Sequence, residues 1–310
     1  MTQEQILAQT NTTKTEKIKQ LLGLGLTRTD VAQIMGVGYG FVQNVYAKLN
    51  GTQRQNASQN IDFRLIPFGR KFGVEIESFV KRGKTKEALR DLIQSKGVNC
   101  QLNDYNHTTR DYWKIISDGS LRADGVTFEL VSPILQGADR LEQLEKVCQA
   151  LKEYGARINK TCGLHIHFDA EAFNLQTWKN LLINYAKLED TIDKFMPPSR
   201  RGNTNTYCQS LKQNVSEIKE ATNLQQITRA MGTRYKKINT DSYARHRTIE
   251  FRQHSGTIEF LKIKNWILFL HNLVEASKIK ILTNTSLESL TEFNQEEIIA
   301  FYAERIEELN

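Results

Sequence analysis

The sequence predicts an α+β protein: a mainly antiparallel sheet with helices on one side, preceded by a small all-α domain. Three observations predict it. Short segments alternate apolar and polar residues with the period of a strand, turns or single long amphipathic helices separate them, and a polar stretch divides them from a helical N-terminus. With 310 residues, the chain is long enough for one large and one small domain.

Composition is that of an ordinary globular protein, with 39% apolar and 25% charged residues. No apolar run approaches the length of a membrane span, and residues 1–10 lack the basic start and apolar core of a secretory signal. The four cysteines are widely spaced, with no CxxC pair, which is typical of reduced thiols. We therefore expect a cytoplasmic protein without a membrane partner. The net charge of +7 permits a phosphate-bearing partner without requiring one.

Residues 13–49 carry the pattern of three short helices. Thr27 and Asp30 resemble a capping box, and Gly36 is expected to end the second helix. In the third helix an apolar set would pack inward and a second set outward. The inward set is Phe41, Val42, Val45 and Leu49, and the outward set is Tyr39, Gln43, Asn44 and Lys48.

The run from Thr27 to Val45 is similar to bacterial and phage helix-turn-helix domains, in which the last helix enters the major groove. Gln and Asn side chains can bond adenine edges and a lysine can reach a phosphate, so the DNA-binding candidates are Tyr39, Gln43, Asn44 and Lys48. A helical interaction or dimerisation module of the same shape is the alternative. Residues 1–50 hold five Lys/Arg against three Asp/Glu, and a surplus of two is small for a DNA clamp.

Residues 51–61 are polar and read as a flexible linker, so the predicted domains are 1–50 and 62–310. The predicted strands of the large domain are 71–78, 98–102, 113–117, 126–131, 157–169 and 243–253. Its predicted helices are 85–96, 138–154, 175–195, 214–229, 263–281 and 295–309.

Several of these strands place ionisable side chains two residues apart. Glu75 and Glu77 would leave the first strand on one face, roughly 6.5–7 Å apart, with apolar residues on the other face. His165 with His167, and Glu250 with Arg252, repeat the arrangement, and Glu129 is a fourth acidic strand position. Taken singly, each pair also fits a strand with one solvated face or an ordinary cross-strand ion pair.

Together the pairs suggest one enclosed polar face. So many carboxylates cannot all be ionised in one cleft without divalent cations. Oxygen-rich ligation with a histidine suits Mg²⁺ or Mn²⁺, and a bound nucleotide would complete the shell. The sequence has no Walker loop and no GxGxxG, so phosphates would be held by metal and arginines, including Arg200 and Arg201. A solvated charge pair at a helix end is the alternative for those two.

The ordered set of motifs resembles the amidoligase family, the carboxylate–amine ligases related to glutamine synthetase and glutamate–cysteine ligase. The resemblance covers about residues 68–280. Its motifs lie at 72–77, 113–121, 128–137, 162–167, 199–203 and 248–257.

The resemblance implies a glutamine-synthetase-like antiparallel half-barrel whose inner face binds metal ions and ATP. By analogy the metal ligands are Glu75, Glu77, Glu129, His165 and Glu250. ATP or substrate would contact His167, Arg200, Arg201 and Arg252, and the catalytic residues would be Arg252 and Glu250. The helix-turn-helix segment lies outside the resemblance.

The predicted function is therefore an ATP- and Mg²⁺-dependent ligase that forms an amide through an acyl phosphate. Its substrates would be a small-molecule or peptide carboxylate and an amine, selected by loops at 103–111 and 202–213. One alternative is a DNA-binding regulator whose ligase-like domain senses a nucleotide or metabolite. Another is an enzyme whose substrate is brought to DNA by residues 1–50. Whether the chain forms a homo-oligomer is left open.

Overall fold

The structure is a computed structural model that describes residues 1–10, 12–49, 68–104, 106 and 108–309, apart from the side chains of residues 44, 47, 48, 138 and 139. The predicted linker at 51–61 and the side chains of Asn44 and Lys48 lie outside this description. Two compact units are present: Met1–Asp62 with Asn284–Asn310, and Phe63–Thr283. No helix among the described residues is both long and apolar enough to cross a membrane.

Helices and strands alternate irregularly along the chain. The α-helices are α1 Gln3–Leu7, α2 Lys14–Gly23, α3 Arg28–Met35, α4 Tyr39–Leu49, α5 Lys86–Ser95, α6 Ala138–Glu153, α7 Leu175–Lys194, α8 Val215–Glu220, α9 Leu224–Met231, α10 Ser242–His246, α11 Phe260–Ser277 and α12 Glu296–Leu309. The strands are β1 Phe72–Val80, β2 Cys100–Leu102, β3 Trp113–Ile116, β4 Val126–Val131, β5 Leu164–Asp169, β6 Ile238–Asn239 and β7 Thr248–Phe251. Short 3₁₀ turns cover Pro198–Arg200, Lys212–Asn214 and Glu288–Glu292.

The first unit contains helices α2, α3 and α4 in the segment where the sequence predicts three. The Thr27 hydroxyl caps α3 by accepting a hydrogen bond from the Asp30 backbone N–H at 3.2 Å. Gly36 ends the helix in the left-handed region, with φ of 59°. The core of the first unit is formed by buried apolar side chains: Ile18, Leu21, Val31, Val42 and Val45.

The C-terminal helix α12 packs on α4 within this unit. A Cβ built on Gly40 would lie 3.4 Å from the Ala303 Cβ, so glycine permits the close approach of the two helices. The expectation that Tyr39 and Gln43 face outward is wrong, because they are only 5% and 7% exposed. The expectation that Phe41 and Leu49 pack inward is also wrong, because both are exposed. An apolar pattern on α4 could not reveal that a helix some 250 residues later would cover one side.

The three-part domain division stays a prediction, but the packing of residues 284–310 was not indicated by the sequence. The predicted domain 62–310 includes this segment. In the structure it belongs to the same compact unit as the N-terminal helices. An ion pair between Arg28 on α3 and Glu296 on α12 joins the two parts of the chain.

The second unit is built on a seven-stranded sheet in the order β2-β3-β4-β1-β5-β7-β6. Neighbouring strands are antiparallel except β2 and β3. The α+β class and the mainly antiparallel sheet are thus as predicted. One face of the sheet is apolar and covered by helices. For example, Tyr185 of α7 packs against Phe251, and His271 of α11 against Phe168.

Three predicted elements differ from the structure. The strand predicted at 243–253 is helix α10 followed by the shorter strand β7, and Arg247 joins them in the left-handed region at φ of 57°. The strand predicted at 157–169 begins only at Leu164. The helix predicted at 214–229 is two helices, α8 and α9. Apolar–polar alternation is a local signal, so it did not detect the turns that interrupt these segments.

Candidate active site

The polar face of the sheet forms the floor of a cleft of about 1590 Å³ in the second unit. Most of the predicted site residues line it: Glu75, Glu77, Glu129, His165, His167, Arg200, Glu250 and Arg252. Both predicted specificity loops also reach it, through Thr108 and Thr109 from one and Thr204 to Tyr207 from the other. The structure therefore brings side chains from sequence positions far apart into one solvent-accessible hollow.

Strand register explains this convergence. Glu77 on β1 is directly opposite Glu129 on β4, and Glu75 is opposite His165 on β5. His167, one pleat further along β5, is opposite Glu250 on β7. Directly opposite residues share a face of the sheet, so these pairs form a continuous polar patch across the four central strands.

Imidazoles separate the carboxylates at the centre of the patch. The His165 Nδ1 lies 3.1 Å from the Glu75 Oε2 and 3.6 Å from the Glu250 Oε1. The His167 Nε2 lies 3.3 Å from the Glu75 Oε1. On the other side, the His165 Nε2 is 3.8 Å from the Glu77 Oε1. Each imidazole can thus balance acidic neighbours when protonated, or share a cation with them when neutral.

Three overlapping groups of side chains have the donor set of a divalent-cation site. Within each group the ligand atoms all lie within 4.8 Å of one another. The groups are Glu75 with His167 and Glu250, Glu75 with Glu129 and His165, and Glu77 with Asp118 and Glu129. Carboxylate oxygens with one imidazole suit Mg²⁺ or Mn²⁺. The His167 Nε2 lies 3.3 Å from the Glu75 Oε1, and both atoms belong to residues of one such group, so they could ligate a cation together.

The crowding of charges in the cleft shifts the pKa values of its acids. Burial, together with the carboxylates of Glu75 and Glu77, raises the pKa of Glu129 well above its usual range. Burial also acts to raise the pKa of Glu75, but the imidazoles of His167 and His165 outweigh it and the pKa lies well below the usual range. Carboxylates crowded in one cleft repel one another, and either a retained proton or a bound cation lowers that repulsion.

Two guanidinium groups border the acids, but the third predicted arginine does not. Arg252 pairs with Glu250, and the Arg252 Nε donates to the Tyr207 backbone oxygen at 3.3 Å. Arg200 is buried, and donates to the Cys162 backbone oxygen at 2.6 Å. Arg201 is not among the cleft residues. Its side chain donates to the Met196 backbone oxygen, which ties it to the end of α7.

Neighbouring side chains and backbone hold the ligand groups in place. The Asn239 amide donates to the Glu250 Oε2 at 2.6 Å, and the Thr248 hydroxyl lies 3.0 Å from the His167 Nδ1. The latter contact directs the His167 Nε2 into the cleft, as is common for metal-binding histidines. The Gly163 backbone N–H donates to Glu77. A Cβ on Gly163 would lie 2.9 Å from the His165 Nε2, so this position has no room for a side chain.

Sequence reasoning missed several of these residues. Asp118 completes one ligand group. It lies two residues after the end of β3 within the motif at 113–121, so an acid near a strand end was the available signal. Lys114 lies in the cleft and is buried, with its ammonium 3.0 Å from the Asn106 and Thr108 backbone oxygens. Asn239 lies on the two-residue strand β6, which is too short to leave a periodic signal.

Comparison with known protein families gives one result. The model of a family described as "Putative amidoligase enzyme" matches residues 69–274, more than half of the chain. The match spans every cleft residue named above and leaves out the helical first unit. No curated protein matches the chain.

Proposed function

Because the chain belongs to the amidoligase family, we propose that it joins a carboxylate to an amine at the expense of ATP, with Mg²⁺ or Mn²⁺. The observation that carries the proposal is the gathering of five acidic side chains, two imidazoles and two guanidiniums in one cleft. We call the acids the carboxylate cluster, and they are Glu75, Glu77, Asp118, Glu129 and Glu250. A glutamine-synthetase-like half-barrel is part of the same proposal, supported by a sheet with one polar and one apolar face.

The metal ions would be held by the carboxylate cluster with His165 and His167, in the three overlapping groups. Bound there, they would neutralise phosphate charge that this acidic surface would otherwise repel. Without cations, the negative charge of the cluster would repel a triphosphate. Four of its five acids lie on strands of the sheet, so little reorganisation is needed when charge develops on the phosphoryl oxygens.

The reaction takes place in two displacements. An oxygen of the substrate carboxylate attacks the γ-phosphorus of ATP, ADP leaves, and an acyl phosphate forms. The amine nitrogen then attacks the acyl carbon, inorganic phosphate leaves, and the nitrogen loses a proton to give the amide. Catalysis is chiefly positioning and electrostatic stabilisation.

Arg252 and Arg200 supply hydrogen-bond donors for the transferred phosphoryl group or the activated carboxylate. The planar guanidinium fork suits either anion. Arg252 is paired with Glu250, which keeps the guanidinium at the cleft wall rather than in solvent. Removal of one such donor typically costs about 10²- to 10³-fold in kcat.

The test is ATP turnover with Mg²⁺ and pooled amino acids and peptides, read as phosphate release and as new amide products by mass spectrometry. The wild type should consume ATP only with Mg²⁺ present, and Glu75→Gln should lose this activity. Glu153→Gln is the matched control, because Glu153 is an exposed carboxylate that pairs with Lys96 outside the cleft. Equal phosphate release by wild type and Glu75→Gln would remove the catalytic proposal.

A second candidate is a DNA-binding role for the first unit, alone or in a regulator that senses a nucleotide. The helices α2 to α4, at the spacing of the helix-turn-helix resemblance, support it. Burial of Tyr39 and Gln43 counts against base reading by that side of α4 in this conformation. An electrophoretic shift of the full chain on mixed duplex DNA at low salt tests it, and no shift would leave α2 to α4 as a protein-contact module.

We also propose that the protein works in the cytoplasm. All four cysteines, Cys100, Cys148, Cys162 and Cys208, are free and buried. Free thiols are typical of a reducing compartment. Detection of a disulfide in protein isolated from its source under alkylating conditions would contradict this.

A further inference from the structure

Two tyrosines and an arginine line the same cleft and have no part in the mechanism above. The rings of Tyr207 and Tyr235 meet edge to face, with centroids 5.4 Å apart and an interplanar angle of 85°. The guanidinium carbon of Arg234 lies 5.1 Å from the centre of the Tyr235 ring. All three are cleft residues. We call this group the aromatic shelf.

Backbone pairing holds the shelf in place. The Gln209 N–H donates to the Tyr235 backbone oxygen at 2.8 Å, and the Lys237 N–H donates to the Gln209 oxygen at 2.8 Å. The Tyr207 N–H donates to the Asn205 side chain at 2.8 Å. The segments that carry the two rings are therefore joined to each other, and the rings are presented without a large ordering cost.

Tyr207 is nevertheless 49% exposed. Buried aromatic rings contribute to stability by removing apolar surface from water, and this ring contributes only part of that gain. An exposed, preorganised ring in a cleft is instead suited to stacking with a planar ligand.

The shelf is adjacent to the groups that would hold phosphate. The backbone oxygen of Tyr207 accepts a hydrogen bond from the Arg252 side chain, and Arg252 in turn pairs with Glu250 of the carboxylate cluster. A ligand with a planar ring at one end and anionic oxygens at the other could therefore contact the shelf and the Arg252 region together. A nucleoside polyphosphate has this form.

We propose that Tyr207, Tyr235 and Arg234 bind the purine base of the nucleotide, with the phosphates directed toward Arg252 and the carboxylate cluster. This inference rests on the proposed function, since it assigns a site to the ATP of that reaction. Stacking on aromatic rings and on guanidinium planes does not depend on hydrogen-bond readout of the base. ADP and ATP carry the same base, so the shelf would hold both.

The experiment compares Mg²⁺-ADP with Mg²⁺-tripolyphosphate, which carries the charge without the base, by isothermal titration calorimetry on the full chain. Tyr207→Ala should bind Mg²⁺-ADP about 5- to 150-fold more weakly than wild type, in line with loss of one stacking ring. Its affinity for Mg²⁺-tripolyphosphate should be unchanged. Tyr207→Phe keeps the ring and should bind both probes as the wild type does.

Ile158→Ala is the control, because Ile158 is an exposed apolar residue outside the cleft. Arg234→Met provides a second variant on the opposite segment and should also weaken ADP binding alone. The inference is overturned if Tyr207→Ala binds Mg²⁺-ADP as tightly as wild type, which would leave the shelf to another planar group. It is equally overturned if both probes weaken together, which would mean that Tyr207 only supports Arg252. A wild type that binds neither probe would contradict the proposed function itself.

Discussion

Replacement of Glu129 by glutamine should separate two effects of the carboxylate cluster: the stability lost through charge repulsion, and the binding of divalent cations. Glu77, Asp118 and Glu129 present ligand atoms within 4.8 Å of one another. If two carboxylates at that distance were both ionised, they would repel by roughly 3.5 kcal/mol at an effective dielectric constant of about 20, and such repulsion is one cause of the raised pKa of Glu129. Glutamine keeps the size of glutamate and removes its charge. The metal-free Glu129→Gln protein should therefore be at least as stable as the metal-free wild type.

Divalent cations should reverse this order. A cation at a hundred times its Kd stabilises the wild type by about 2.7 kcal/mol, or about 5–11 °C in the Tm of a unit this size. If Glu129→Gln weakens the site a hundredfold, the same concentration contributes only about 0.4 kcal/mol. The Tm of the variant without metal would then be at least that of the wild type, and the cation would raise it only slightly.

Thermal unfolding of the second unit, followed by circular dichroism with and without Mg²⁺ or Mn²⁺, measures both effects. Glu153→Gln should leave the metal-free Tm and the cation-induced rise unchanged, because its carboxylate is exposed and outside the cleft. The reasoning is refuted if Glu129→Gln is destabilised by about 1 kcal/mol or more without metal and keeps the full cation-induced rise. That result would make Glu129 a structural residue.

Three further predictions concern the same unit. The pKa of Glu129 is raised in the fold without metal, so between the usual glutamate pKa and the raised pKa the folded state keeps a proton that the unfolded state has released. The free energy of unfolding without metal should therefore fall as pH rises through that window. The Mg²⁺-induced rise in Tm should grow over that window, since binding must displace the proton, and a flat response would contradict this. Lys237→Met should cost about 3–5 kcal/mol in urea unfolding, because the buried Lys237 ammonium pairs with the carboxylates of Asp193 and Glu189, 2.8 and 3.1 Å away. Glu189 is the more deeply buried of the two acids, so adding Glu189→Gln should recover part of the loss, and no recovery would exclude an uncompensated Glu189 charge as the cause. Gly163→Ala should weaken cation binding, measured by calorimetry, because the added Cβ would displace the His165 Nε2, which lies 2.9 Å away. Unchanged affinity would show that the His165 imidazole is not a ligand.

Local pattern was enough to find most of the cleft. A strand directs alternate side chains to opposite faces, so Glu75 with Glu77, and His165 with His167, could be assigned to common faces from spacing alone. The same reasoning failed where the backbone leaves the strand. Residues 242–246 form a helix rather than the start of the last strand, and of the predicted pair only Glu250 lies on β7, since Arg252 follows its last residue.

Arginine positions were harder to predict because a long side chain can point in several directions. Arg200 and Arg201 are adjacent in sequence, yet only Arg200 borders the acids, and Arg201 is tied to the end of α7. Arg200 ends a 3₁₀ turn, where one residue step rotates the side-chain direction by roughly 120°. Adjacent charges in an irregular segment therefore carry little information about which one enters a site.

The sequence by itself determined the α+β class, the strands with one ionisable and one apolar face, and the family to which the chain belongs, because these follow from short-range periodicity and from motif order. Only the tertiary structure decided which strands are neighbours, so that Glu75 meets His165 and Glu77 meets Glu129, and that Asp118 joins them. It also decided that α12 covers one side of α4. The physical reason is the same in each case. Strand register and helix packing are set by contacts between residues distant in sequence, and local periodicity carries no information about such contacts.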